Sequence, residues 1–391
     1  MSFMKIVHIC LDQYSDGWTY QENLLTKYHR LQGHDVSVIT SMLCYRDGKL
    51  AEDTRTRFTD INGVEILRLK KRTGGLLGKT PAYKDFYETL CSLSPDIIFS
   101  HGCQYTDTKY AIRYVREHPQ VRLFVDNHGD FTNSATNFLS REILHKIIWR
   151  HYAQQLVPYT EVFWGVLPAR VDFLTELYGL PPEKCRLLVM GADDELVEKA
   201  AHSGARDRIR RQYHIADNDF LVMTGGKIDP WKAQTLTLME AVRNLPDVRL
   251  KLLVFGHVAP ELRDRFDRLI DGEKLQYAGW VQAANTYDYA AAADLFVFPG
   301  RHSVLWEQVA GQGVPMLVKD WPGTHHIDMG GNVRFLIGDS VEEIQGQLLA
   351  LLEEPDAYRQ MKEAAARGSS DFLYSRIAEK SISSLRTPAS S

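Results

Sequence analysis

Little in this sequence is arranged for cross-linking, structural metal binding or membrane insertion. The 391 residues include five cysteines, Cys10, Cys44, Cys91, Cys103 and Cys185. The number is odd and no C-x-x-C occurs, which argues against a disulfide framework or a zinc site and favours a reducing compartment. No run reaches the ~18 apolar residues needed to span a bilayer. The opening MSFMKIVHICLDQ has one lysine and a short apolar run, without the long apolar stretch and small-residue cleavage site of a secretory signal. These absences predict a soluble, cytoplasmic protein. An excess of positive charge is also missing: the formal net charge is -4, so no global field recruits nucleic acid. Neither G-x-G-x-x-G nor G-x-x-x-x-G-K-[ST] is present, which leaves dinucleotide and P-loop readings poorly supported.

What is present is alternation. Buried-looking apolar runs at 5–10, 35–40, 61–69, 97–100, 123–126 and 161–164 are separated by amphipathic stretches, the first at 18–31 and closed by Gly33. The pattern restarts with strands at 220–224, 250–255, 276–278 and 295–298, and helices at 233–244 and 261–270. Near-continuous apolar strands between helices predict parallel sheets covered on both faces. Two such series predict two Rossmann-like domains, 1–195 and 196–369, with the polar segment 192–215 as linker or surface helix. The tail reads as two helices, with a frayed end at TPASS.

Open parallel sheets bind ligands beyond the carboxyl ends of their strands. In the first half those positions hold Asp16-Gly17-Trp18, Ser100-His101-Gly102 and Asp126-Asn127-His128-Gly129. In the second half they hold Gly225-Gly226-Lys227, with Lys232 five residues on, and the segment Pro299-Gly300-Arg301-His302-Ser303-Val304-Leu305-Trp306-Glu307. Two lysines at a strand-to-helix turn suit a diphosphate, because a helix N-terminus already favours anions. Ser303 reads as an N-cap. Glu307, among apolar neighbours, reads as a sheltered carboxylate able to accept both ribose hydroxyl protons. The bland readings are solvated lysines, a turn glycine at Gly17 and a helix-dipole role for Glu307.

In order and spacing these segments resemble glycosyltransferase family 4. The resemblance spans nearly the whole chain. It adds Leu31-Gln32-Gly33-His34-Asp35-Val36, Pro95-Asp96-Ile97-Ile98, Tyr178-Gly179-Leu180-Pro181, Met190-Gly191-Ala192-Asp193, Tyr277-Ala278-Gly279-Trp280-Val281, Ala293-Asp294 and Gly313-Val314-Pro315. It implies a GT-B fold, two domains facing each other across a cleft. A C-terminal helix from about 370 to 391 crosses back to the first domain. It implies retaining, metal-independent hexosyl transfer from a nucleotide sugar, UDP-linked by family frequency, in bacterial polysaccharide or glycoconjugate assembly. No cofactor beyond that co-substrate is implied. On the donor side, Gly226, Lys227, Lys232, Ser303 and Val304 would hold the diphosphate. Arg301 and His302 would meet the sugar, and Glu307, Gly256, Trp280 and Val281 the nucleoside. His128, Lys232 and Glu307 would be catalytic; Asp16, Gly17, Trp18 and His101 would face the acceptor.

One departure matters. The family's E-x7-E motif requires a first glutamate eight residues before Glu307, and Pro299 stands there. Donor-sugar contacts are therefore expected to move into the Gly300–Ser303 loop. A sugar or lipid-linked glycan would accept. Two segments suggest peripheral contact with an anionic membrane: Arg68-Leu69-Lys70-Lys71-Arg72 with Leu76, Leu77 and Lys79, and 138–156 with Arg141, Lys146 and Arg150. Oligomeric state is left open. Rival readings are a nucleotide-sugar epimerase or a phosphorylase of the same architecture, or a catalytically altered sugar-nucleotide-binding protein.

Overall fold

Runs of valine, isoleucine, leucine and phenylalanine form the central strands of two parallel sheets. The structure, a computed structural model, describes residues 3–46, 48–72 and 82–383. The chain divides into two compact units, Met1–Val189 with Tyr374–Ser391, and Met190–Leu373. The chain thus passes between units at 189/190 and 373/374, against the 195/196 and 369/370 read from sequence. The segment 192–215 belongs to the second unit as two surface helices, Asp194–His202 and Ala205–Gln212. The first is capped by Asp193, whose carboxylate accepts from the Glu195 N–H at 3.1 Å.

In the first unit the strands are β1 (Lys5–Cys10), β2 (Asp35–Ser41), β3 (Leu43–Arg46), β4 (Lys49–Glu52), β5 (Arg57–Thr59), β6 (Glu65–Leu69), β7 (Ile97–His101), β8 (Arg122–Asn127), β9 (Thr160–Gly165) and β10 (Cys185–Leu187). Eight of them form one sheet in the order β10-β9-β8-β7-β1-β2-β6-β5, while β3 and β4 pair as a separate hairpin. Only the edge strand β5 runs antiparallel within the large sheet. The register His8–Phe99 and Ile9–Ser100 aligns β1 with β7, and His101–Asp126 aligns β7 with β8. The carboxyl ends of β7 and β8 are therefore side by side.

The helix Gln21–Leu31 lies against β1 and β2 through Leu24, Leu25 and Tyr28. The same cluster takes in Tyr374, Ile377 and Ala378 of the returning helix Tyr374–Ser381. The Trp164 indole N–H donates to the Ser381 carbonyl at 2.9 Å, and the Gln32 amide to the Ser375 carbonyl at 2.7 Å. The first helix begins at Gln21, three residues later than read, because Gly17 takes a left-handed turn at φ 74° upstream of it.

The second unit contains β11 (Phe220–Ile228), β12 (Leu250–Val258), β13 (Leu275–Tyr277), β14 (Leu295–Phe298), β15 (Met316–Lys319) and β16 (Val333–Leu336). All pair in parallel, in the order β13-β12-β11-β14-β15-β16. This order reverses between β11 and β14, the switch point where a crevice opens at the carboxyl ends. Its core packs Val222, Leu252, Val254, Leu295 and Val297 against the helix Gln234–Asn244. No helix among the described residues is long and apolar enough to cross a membrane.

Candidate functional site

In the second unit, β11 continues through Gly225, Gly226 and Lys227, four residues beyond the strand read from sequence. Gly226 pairs with Gly256 of β12. A Cβ on Gly256, whose φ is 121°, would stand 1.8 Å from the Gly226 carbonyl oxygen. Glycine is thus required there by strand packing, whatever else it meets. Beyond the strand, Asp229 accepts from the Trp231 N–H at 3.0 Å and pairs with Lys227 at 3.2 Å. The Lys227 side chain is 70% exposed. Lys232 is half-buried, and burial pulls its pKa down while Asp229 supports the charge. Gly300 closes against it: a Cβ there would lie 3.5 Å from the Lys232 Cα. The Arg301 guanidinium stacks 4.3 Å over the Trp231 ring. The region combines two cations with bare glycine backbone at the switch point.

The helix Leu305–Gly311 starts two residues after Ser303, and no side chain caps it. Ser303 contributes its carbonyl, which accepts from the Trp306 N–H at 2.9 Å, so the expected side-chain cap is absent. Val304 is exposed. Glu307 is fully buried. Its Oε1 accepts from His302 Nε2 at 2.7 Å and from His326 Nε2 at 2.9 Å. Burial pushes the carboxyl pKa up, but the two imidazoles prevail and hold it at about 2. Oε2 of Glu307, Nε1 of Trp306 and Nδ1 of His326 are buried without a hydrogen-bond partner among the described residues. Such atoms are costly unless something else satisfies them. Val281 is buried and Trp280 is 72% exposed.

In the first unit a cavity of about 810 Å³ opens at the ends of β1, β7 and β8, lined among others by Glu22, Lys71, His101, Gln104, His128 and His145. Asp126, at the end of β8, is fully buried. Its Oδ2 contacts His101 Nδ1 at 2.8 Å and His128 Nε2 at 3.3 Å, and its Oδ1 accepts from the Gly102 N–H at 3.0 Å. Gly102 turns its N–H inward by adopting φ 97°, which explains the His-Gly pair after β7. Burial raises the Asp126 pKa, but the histidines overcome it and the carboxylate stays ionised. Burial depresses the His128 pKa, and Asp126 more than reverses that, so it ends above its usual value. Burial raises Glu22 and lowers His145. Asp16, Gly17 and Trp18 do not line this cavity. Asp16 accepts from the Ile61 N–H at 3.1 Å, and Trp18 stacks on Tyr45 with ring centroids 5.1 Å apart.

Two trios, His101–Asp126–His128 and His302–Glu307–His326, bring their ligand atoms within 4.8 Å among the described residues. Ligands of a tetrahedral zinc stand about 3.4 Å apart, from bond lengths near 2.1 Å. Three of the contacts, at 2.7–2.9 Å, are shorter than this and are hydrogen bonds, while His128 Nε2 and Asp126 Oδ2 stand 3.3 Å apart.

Both trios contain residues that sequence reading passed over. His326 sits in a polar loop, and His8, which bonds His101 of the first trio, looks like an interruption in β1. Asp126 was read as the end of a strand, where a polar residue after Phe124 and Val125 was the available signal.

The fold matches solved structures over its whole length. A glycosyltransferase from Rickettsia africae aligns with TM-score 0.66 at 12% identity, covering 97% of each chain. Anabaena HepE, solved in complex with UDP, aligns with TM-score 0.65 at 16% identity, over 96% of this chain and 98% of that one. A Listeria monocytogenes protein described as a UDP-N-acetylglucosamine 2-epimerase aligns with TM-score 0.59 at 15% identity, over 96% and 94%. No family model matches the chain, and no curated protein matches its sequence. At these identities the likeness establishes the fold, which is of the GT-B type.

Proposed function

We propose that the protein is a glycosyltransferase that binds a nucleoside diphosphate sugar, UDP-linked, at the carboxyl ends of β11 and β14. The observation that carries this reading is the half-buried Lys232, set against Gly300 and followed by an unpartnered Gln234 oxygen at the switch point. A diphosphate is the ligand class that such a cation and bare backbone accommodate. Lys232, aided by Lys227, would stabilise charge on the departing diphosphate. Among the described residues no pair of carboxylates is placed at the site, which disfavours a double displacement of the glycosidase kind. A front-face route, with the leaving phosphate oxygen taking the acceptor proton, would retain anomeric configuration without a metal. His128 would orient the sugar. His302, held by Glu307, stands in the loop that replaces the missing first glutamate. Both histidines bond Oε1 of Glu307, so Oε2, which has no partner among the described residues, is the atom that would accept from a ribose hydroxyl.

Binding is tested first. UDP at a hundredfold excess over its Kd is expected to stabilise the protein by about 2.7 kcal/mol in a thermal-shift assay. No shift with UDP, ADP, GDP or their sugars would remove the proposal. An epimerase is the second reading, favoured by the likeness to proteins described as 2-epimerases. Incubation with the donor alone separates the two, since only an epimerase converts it to an isomer without acceptor.

For the acceptor side we propose a lipid-linked glycan reached at a cytoplasmic membrane surface, in polysaccharide assembly. The π-helical segment Ser140–Trp149 supports this. Its inner face gives Leu144, His145 and Trp149 to the cavity, while Phe138, Leu139, Ile143 and Ile147 are exposed, Phe138 at 80%. Arg141 and Lys146 flank them, though both contact Glu142. The second basic segment contributes less. Arg68 is buried and donates to the carbonyls of Ser41, Leu43 and Tyr14. Leu76, Leu77 and Lys79 lie outside the described residues. The protein is expected to float with anionic phospholipid vesicles, and a Phe138→Ser, Ile147→Ser double variant to lose flotation at least tenfold while binding UDP normally. Wild-type protein that sediments without the vesicles would exclude the membrane surface.

A further inference from the structure

A buried row of histidines runs from the cavity to the returning helix. His101 Nε2 lies 3.0 Å from His8 Nδ1, and His8 Nε2 lies 3.0 Å from His29 Nδ1. His29 Nε2 lies 3.0 Å from both the Ala378 carbonyl oxygen and Ser381 Oγ. His8 and His29 are fully buried, and burial favours their neutral forms.

Proton positions follow from hydrogen-bond accounting. The Ser381 hydroxyl donates to the Ala378 carbonyl at 2.8 Å, so both atoms present only lone pairs to His29. His29 Nε2 must therefore carry hydrogen, and its Nδ1, in a neutral ring, is an acceptor. His8 Nε2 donates to it, which makes His8 Nδ1 an acceptor. His101 Nε2 donates in turn. The remaining nitrogen of His101, Nδ1, faces the Asp126 carboxylate at 2.8 Å, a distance two lone pairs cannot hold without a hydrogen between them. The charged and titratable groups around His101 are His8 on β1, Asp126 at the end of β8, His128 just beyond it, and Glu22 on the helix Gln21–Leu31.

We infer that His101 carries hydrogen on both ring nitrogens, as an imidazolium paired with Asp126, and that His8 and His29 are the positioning residues that fix this state. Both N–H groups of His101 are then committed within the protein. His128 becomes the histidine of this trio that is free to exchange a proton with a bound molecule, and its side chain is 41% exposed toward the cavity. The carboxylate of Asp126 is already balanced by His101, so His128 can lose its proton without stranding a buried charge. The deduction holds for the unliganded protein and does not depend on the proposed transfer reaction. Only the use made of His128 rests on that reading.

The test is a long-range 1H–15N correlation spectrum of the full chain labelled at histidine, near neutral pH, assigned by single substitutions. His29 and His8 are expected as Nε2–H tautomers. His101 is expected with both nitrogens protonated, and His128 is expected to titrate. In His8→Phe the acceptor for His101 Nε2 is gone, and His101 is expected to revert to a single hydrogen on Nδ1. A wild-type His101 with one protonated nitrogen, or a His29 protonated at Nδ1, overturns the inference even if His8→Phe fails to fold.

Discussion

Lys232→Met is expected to lower kcat by 10²- to 10³-fold while leaving the thermal midpoint of the unliganded protein unchanged or slightly raised. The rate effect comes from charge. A departing diphosphate gains negative charge as the glycosidic bond breaks, and one preorganised donor at such a site contributes roughly 2.7–4 kcal/mol. Lys232 is well placed for this because it is half-buried, where a charge interacts more strongly than in water. The stability effect has the opposite sign for the same reason. Burial already disfavours the ammonium group, as the direction of its pKa shows, and methionine of similar length removes that penalty. Lys227→Met should behave differently. That side chain is 70% exposed and pairs with Asp229, so its charge is screened and partly compensated. A loss of tenfold or less, mainly in KM, is expected. Steady-state kinetics with a UDP-sugar decide the matter. A Lys232→Met kcat within a few-fold of wild type would remove the diphosphate role.

This contrast also marks what the sequence made legible. Strands buried on both faces read as unbroken apolar runs, so β1, β2, β7, β8, β11, β12 and β14 were evident, and so were the polar residues just past their ends. His101, His128, Lys232 and Glu307 were found by position alone. Apart from β14, whose four residues are all apolar and buried, short strands were not. β10 and β13 have three residues each and β15 and β16 four. Of these only β13 was read, since so few residues show no period. The hairpin β3–β4 is half exposed and was missed for the same reason.

The hydrogen-bonded rows were the least legible feature. His8 finds His29 across 21 residues, His101 across 93, and His29 reaches Ala378 across 349. Nothing local in the sequence distinguishes such a histidine from an ordinary polar interruption. The same holds for His326, which meets Glu307 across 19 residues that include the rest of its helix and β15. Glu307 itself could be read as sheltered from its neighbours Leu305, Trp306, Val309 and Ala310. That histidines rather than solvent would shelter it could not.

Acid is expected to loosen the first unit well before its depressed carboxylates titrate. His29 has a folded pKa of about 3 and His8 is also lowered, both chiefly by burial, against about 6.5 in the unfolded chain. A depressed histidine pKa means that the folded state binds fewer protons than the unfolded one. The stability it contributes is complete above the unfolded value and is lost as pH falls below it. Two such groups give a slope of about 2.7 kcal/mol per pH unit at full effect, beginning near pH 6.5. His34 and His145 are lowered in the same sense, while His128, Glu22 and Asp107 are raised, carry the opposite sign and offset part of this. Asp126 and Glu307 are depressed carboxyls, and their contribution is lost only as pH drops below about 4.5. Between pH 6.5 and 4.5 the loss of stability therefore comes from the lowered histidines, since the raised carboxyls there act in the opposite direction. The first element released should be the helix Tyr374–Ser381, because protonating His29 at Nδ1 sets an N–H against that of His8 and breaks the row ending at Ala378. Hydrogen exchange of peptides covering this helix, corrected for intrinsic rates, should show protection falling by an order of magnitude or more per pH unit in that window. His29→Gln keeps a donor toward Ala378 and an acceptor toward His8 but cannot titrate, so it should flatten the dependence by about half. Equal slopes for wild type and His29→Gln, or a loss confined to pH below 4.5, would mean that the buried histidines do not govern acid stability.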